Sequence, residues 1–123
     1  MWKLLLLAGA GGFVGTCCRF LVNRLFLVIW NAPFPIATFT INVVGCFIFG
    51  VLSGILGRND IIPAQFNALL LVGFCGGFTT FSTFSNEALN LGINGDTLIS
   101  FFYIAGSVIV GLFAVWFGLA ITR

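Results

Sequence analysis

The segment Gly76-Gly77-Phe78-Thr79-Thr80-Phe81-Ser82-Thr83-Phe84 interleaves phenyl rings with hydroxyls inside a stretch that is otherwise apolar from about Ala64 to Leu91. Hydroxyls replace water around a small ion without adding a charge that would trap it. A phenyl ring has a positive edge, so rings turned edge-on can receive a small anion in the same uncharged way. The bland alternative sends the phenylalanines to lipid and the hydroxyls to a neighbouring helix. Two adjacent glycines followed by hydroxyl residues weaken a helix in mid-membrane, where freed carbonyls need another partner. A broken helix is the expectation. Such breaks present unwound carbonyls or helix ends to ions; an intact helix with a glycine packing face is the alternative.

Other polar residues fall in the same kind of surroundings. Thr38 and Asn42 are four apart, so they share a helical face, with Gly45 one step further. An Asn at this depth must point into protein or water, either bonding across helices or turning its amide N–H to an anion. Tyr103, Ser107 and Gly111 repeat at four-residue intervals, which suits a helix contact or a hydrated track. Arg19 lies 16 residues beyond Lys3, about 24 Å along a helix, which predicts a place near the far interface. There it anchors the span by snorkelling or lines an electropositive vestibule. Glu87, about two turns past the hydroxyl cluster, is a pore-mouth group or an ordinary interfacial carboxylate. With helical steps of about 100°, Phe78, Phe81 and Phe84 fall within one third of the circumference, opposite Thr79, Thr83 and Asn86.

Composition dictates the scaffold that carries these groups. Of 123 residues, 60% are hydrophobic and 7% charged, and the mean hydropathy is +1.19. A soluble domain carries about 25% charged residues, so this is a membrane protein; spans must be helices or a closed barrel, and long apolar runs without alternation favour an all-α membrane protein. At about 20 apolar residues per crossing, four spans fit: approximately 2–30, 36–56, 64–91 and 97–121, a single domain covering 1–123. Lys3, Leu4 to Leu7 and the small residues after them resemble a signal peptide; the apolar, Gly-rich continuation makes a retained first span the reading instead. Asn31, Pro33 and Pro35 mark the first turn, Gly57 to Asp60 the second, with Pro63 as a helix start, and Gly92 to Asp96 the third. Sixteen glycines are nearly twice the usual share of about 7%. Gly11 and Gly15, Gly50 and Gly54, and Gly73 and Gly77 have the small-x-x-x-small spacing that lets helices approach closely.

Several classes drop out. The net charge is +2 with the basic residues scattered, too little for a nucleic-acid surface. There is no His and no intramembrane Lys, so the Ser and Thr hydroxyls lack an activating base and the chain is not read as an enzyme. Cys17, Cys18, Cys46 and Cys75 lack metal-binding spacing and read as small packing residues. With Lys3, Arg58 and Arg123 on one side and Arg24 with Arg19 on the other, the positive-inside bias is one or two charges and leaves orientation open. That balance is compatible with insertion in both directions, hence with an antiparallel dimer.

On these residues the chain resembles the Fluc (CrcB-type) fluoride channels. The resemblance runs over nearly the whole chain: Gly12-Phe13-Val14-Gly15-Thr16-Cys17-Cys18-Arg19-Phe20, Thr38 through Asn42-Val43-Val44-Gly45 to Gly50, and Gly73 to Phe84. It implies an antiparallel, dual-topology homodimer in the bacterial cytoplasmic membrane, with two passive fluoride pathways selective against chloride. By similarity, Phe81 and Phe84 line the pathway, Asn42 offers an amide, and Ser82, Thr83, Thr38, Tyr103 and Ser107 complete the polar route. Arg19 matches a vestibule arginine and Glu87 a pathway-end carboxylate. Carbonyls of Gly76 and Thr79 from both subunits are implied to hold a structural sodium ion. Gly111 stands where some relatives carry a hydroxyl, which shortens the polar row. Two rival classes are a proton-coupled small multidrug exporter and a non-transporting accessory subunit. The first needs a carboxylate deep in the membrane, whereas Glu87 sits toward a span end and Asp60 and Asp96 lie in loops.

Overall fold

The computed structural model describes residues 1–57 and 62–123. Arg58, Asn59 and Asp60, which the sequence assigns to the second turn, lie outside the described residues. All regular structure in the described residues is helical. Helix α1 is Trp2–Ile29 and α2 is Ile36–Leu56. The third span, Ala64–Ile93, is divided: α3 covers residues 64–78 and α4 is Phe81–Ile93. Helix α5 is Thr97–Thr122. Among the described residues four spans are therefore long and apolar enough to cross a membrane, as composition predicts, with ends within two residues of the expected ones.

The small residues explain how the spans pair. Helix α1 lies on α3, where Gly11, Gly15, Gly73 and Gly77 bring backbones together. A side chain at Gly11 would collide with the Leu69 carbonyl, at Gly15 with the Phe74 carbonyl, and at Gly77 with Gly12. Helix α2 lies on α5 through Gly50, Gly54 and Gly118, whose missing side chains leave room for Val115, Thr122 and Phe47. In lipid there is no hydrophobic drive between helices, so close van der Waals contact of this kind holds them together. All three predicted glycine pairs are packing contacts. Helix α4 rests on α5, where Ser100 donates to the Ala88 carbonyl at 2.7 Å beside a core of Ala88, Leu91 and Tyr103.

The third span is irregular before it breaks. Asn67–Cys75 winds in wide π-helical turns, a form uncommon outside functional segments. Helical geometry then persists through Gly76–Phe78 and stops at Thr79 and Thr80, both extended (φ −82°, ψ 158° and φ −147°, ψ 120°). The interruption thus falls two residues after the glycine pair expected to cause it. Gly77 serves instead as a contact with α1. What ends α3 is Thr79, whose N–H and Oγ1 both donate to the Cys75 carbonyl at 3.0 and 2.9 Å. What starts α4 is Thr80, whose Oγ1 accepts from the Thr83 N–H at 3.3 Å, an N-cap. At the far end of α4, Gly95 takes φ 90° and Asp96 N–H returns to the Leu91 carbonyl at 2.8 Å. This is a Schellman ending that only a residue free of a Cβ enters without strain.

Candidate functional site

At the break, side chains take over the bonding that the backbone gives up. Asn42, on α2, reaches Thr80 twice: its Oδ1 accepts from the Thr80 N–H at 2.8 Å and its Nδ2 donates to the Thr80 carbonyl at 3.1 Å. Arg19 donates from Nε to the Gly77 carbonyl at 3.0 Å. That is mid-span, not the far interface its rise along α1 predicted. A helical side chain leans back toward the N-terminus, so Arg19 brings a cation to the carbonyl end of α3, where the helix dipole favours it. Among the described residues no backbone N–H crosses the break to the carbonyls of Gly76 or Thr79, and open space lies beside the Gly76 Cα.

The aromatic residues form a chain leading away from this point. Phe81 is 78% exposed, and its ring centroid is 5.8 Å from that of Phe84. Phe84 is 5.0 Å from Tyr103, which is fully buried. Phe34 meets Tyr103 edge-to-face at 5.4 Å. Phe78, expected on one face with Phe81 and Phe84, is on the other side of the break, buried and stacked on Phe74 at 5.8 Å. The extended residues Thr79 and Thr80 destroy the helical phase on which that grouping depends.

A groove of about 270 Å³ joins the two sets of residues, lined by Asn42, Thr79, Thr80, Phe81, Phe84 and Ser107 among others. The Ser107 hydroxyl is the buried side-chain oxygen that finds no partner among the described residues. A buried hydroxyl without a bond is uncommon. Tyr103 and Thr38 lie deeper and are both fully enclosed. The Tyr103 hydroxyl donates to Glu87 Oε1 at 3.0 Å, so Glu87 is tied to the end of the aromatic chain. Beyond it, a second cavity of about 230 Å³ opens beside Pro33, Pro35, Glu87, Asn90 and Asn94.

The remaining predicted residues divide. Thr83 Oγ1 accepts from Thr80 Oγ1 at 3.2 Å, and Ser82 is exposed and absent from the groove. On α5, Ser107 faces the groove, while a side chain at Gly111 would meet the Cys46 sulfur at 3.6 Å. Sequence reasoning missed Phe34. Its signal was a lone aromatic between the two prolines of the turn, held by the Trp30 indole N–H donating to its carbonyl at 2.8 Å.

Comparison with known proteins then bears on the whole chain. Residues 6–119 match the family model described as CrcB-like protein, Camphor Resistance (CrcB). A protein named fluoride-specific ion channel FluC from Pseudomonas fluorescens (strain SBW25) is 42% identical, over 100% of this chain and 99% of its own length. Proteins of the same name from Chlorobium phaeobacteroides (strain BS1) and Rhizobium etli (strain ATCC 51251 / DSM 11541 / JCM 21823 / NBRC 15573 / CFN 42) are 40% and 41% identical. They align with 99% and 96% of this chain and 94% of their own lengths.

Proposed function

The chain belongs to the CrcB-like protein family, and we propose that it is a passive fluoride-selective channel that lets fluoride leave the cytoplasm. One observation carries this reading. In a chain about 40% identical to proteins named fluoride-specific channels, Phe81, Phe84, Asn42 and Ser107 line one groove at the break, and the buried Ser107 hydroxyl finds no partner among the described residues. Fluoride is small and tightly hydrated, so groups that replace its water must be close, polar and uncharged. From the groove the route passes Phe84 to Tyr103 and Thr38, and leaves past Glu87. Thr83 and Ser82 border the start of α4, and Arg19 raises the potential near the break.

Assembly belongs to the same proposal. An aromatic as exposed as Phe81, in a span whose break leaves the Gly76 and Thr79 carbonyls without a backbone partner across it among the described residues, suits an antiparallel, dual-topology homodimer with two pathways, set in the bacterial inner membrane. The carbonyls of Gly76 and Thr79 are hard, neutral oxygen donors with no partner across the break, which fits an alkali cation. Two subunits together would hold one sodium ion with them. That ion would supply fixed positive charge to the anion pathway, and the membrane potential would drive export at about 2.3 kcal/mol per charge per 100 mV.

Fluoride efflux from liposomes tests the reading. Phe81→Ile combined with Phe84→Ile removes both ring edges while keeping bulk. We expect efflux to fall about a hundredfold, a barrier increase of about 2.7 kcal/mol, with dimer content unchanged. Normal efflux in the double variant rejects the role of the rings.

A further inference from the structure

Lipid offers no water to an opened backbone, so the partner chosen by each peptide group at the break reports what holds the break in shape. Thr80 is extended, and neither α3 nor α4 serves its N–H. Asn42 does, and returns a bond to the carbonyl of the same residue. This two-point exchange is the one that opposed residues make in an antiparallel ladder, with a primary amide in place of a neighbouring strand. The next turn of α2 continues the contact. Gly45 has no side chain where Thr79 Cγ2 and the Phe78 ring approach, and Ile41 and Thr38 anchor this face in the core.

We infer that Asn42 is a positioning residue: its amide substitutes for a strand at Thr80, fixes the direction in which α4 leaves α3, and so aims Phe81 and Phe84. Its connection with conduction rests on the fluoride-channel reading, but the clamp itself does not. The pairing demands one donor and one acceptor at fixed separation. Asp keeps only the acceptor, Ser offers a single short group, and Gln places the amide one methylene too far. With one amide hydrogen on Thr80, Asn42 has a single N–H left for any ion in the groove, so its weight in the site comes mainly through the backbone it holds.

Amide hydrogen exchange in micelles, resolved residue by residue by NMR, separates this role from ion contact because it needs no ion flux. Phe81 and Ser82, first in α4, have no backbone partner across the break and serve as internal references at the same depth. In the wild-type protein the Thr80 amide exchanges more slowly than theirs. Asn42→Ala accelerates Thr80 by about tenfold, the scale of one lost hydrogen bond, while amides of α2 and α5 keep their protection. Asn42→Asp, which retains the acceptor, leaves Thr80 near its wild-type rate. Equal wild-type rates for Thr80, Phe81 and Ser82 overturn the clamp even if a variant fails to fold. So does an unchanged Thr80 rate in Asn42→Ala. A uniform loss of protection in α2 and α5 would also overturn it, by showing a general stabilising role. Failure of fluoride efflux with the Thr80 pattern intact would count against the proposed function alone.

Discussion

The α2–α5 pair and the third span both depend on glycine, with opposite outcomes. In the pair, Gly50, Gly54 and Gly118 let two uninterrupted helices touch. In the third span, Gly73 and Gly77 press α3 on α1 in the same manner, yet the chain opens two residues later. The difference lies in the residues just past the glycines and in those that reach them. Thr79 closes α3 on the Cys75 carbonyl, Thr80 caps α4, and Asn42 and Arg19 occupy the groups left between. Glycine therefore builds the walls in both regions, and hydroxyl, amide and guanidinium groups make the gap in one. Discontinuity in a membrane helix is stable where side chains can satisfy the exposed peptide groups.

That contrast can be broken first at the walls. Gly118→Leu in the intact pair and Gly15→Leu beside the broken span should each lower stability by about 3 kcal/mol, the upper range for overpacking. Thermal unfolding in detergent would show it. Little loss at both sites would mean that the glycine contacts are not what joins the spans. The gap is tested next by Arg19→Gln, which removes a charge-assisted bond to Gly77 with an expected loss of about 2 kcal/mol. Arg24→Gln, at an exposed position on the same helix, should have a much smaller effect on the same melting curve. Equal effects would deny Arg19 its role at the carbonyl end of α3. The finest change is Phe34→Leu, which removes edge-to-face contacts with Tyr103 and Phe39, each worth about 1 kcal/mol or less. It should slow fluoride efflux mildly if Phe34 steadies Tyr103 on Glu87, and leave efflux untouched if the turn only closes the fold.

The spans and their glycine contacts were legible because lipid imposes simple rules: long apolar runs must be helices, and small residues four apart must be contacts. Of the residues singled out in the sequence, Asn42, Phe81, Phe84 and Ser107 line one groove, whereas Thr38, Ser82, Thr83 and Tyr103 do not. Their partners were not legible. A single helical phase from Phe78 to Phe84 fails because two extended threonines reset it. Rise along α1 places Arg19 toward the far interface, but its long side chain leans back to the Gly77 carbonyl at mid-span. Phe34 was hidden because a turn between prolines carries no periodicity, and its contact with Tyr103 is a product of tertiary folding alone.

On the proposed function, the broken span offers fluoride an uncharged route that is closed to chloride. Purified protein in liposomes loaded with either anion, with potassium and valinomycin setting the driving voltage, tests it directly. Fluoride should leave rapidly, and chloride no faster than from protein-free liposomes. Comparable rates for the two anions, or no fluoride movement from vesicles shown to contain folded protein, would contradict it.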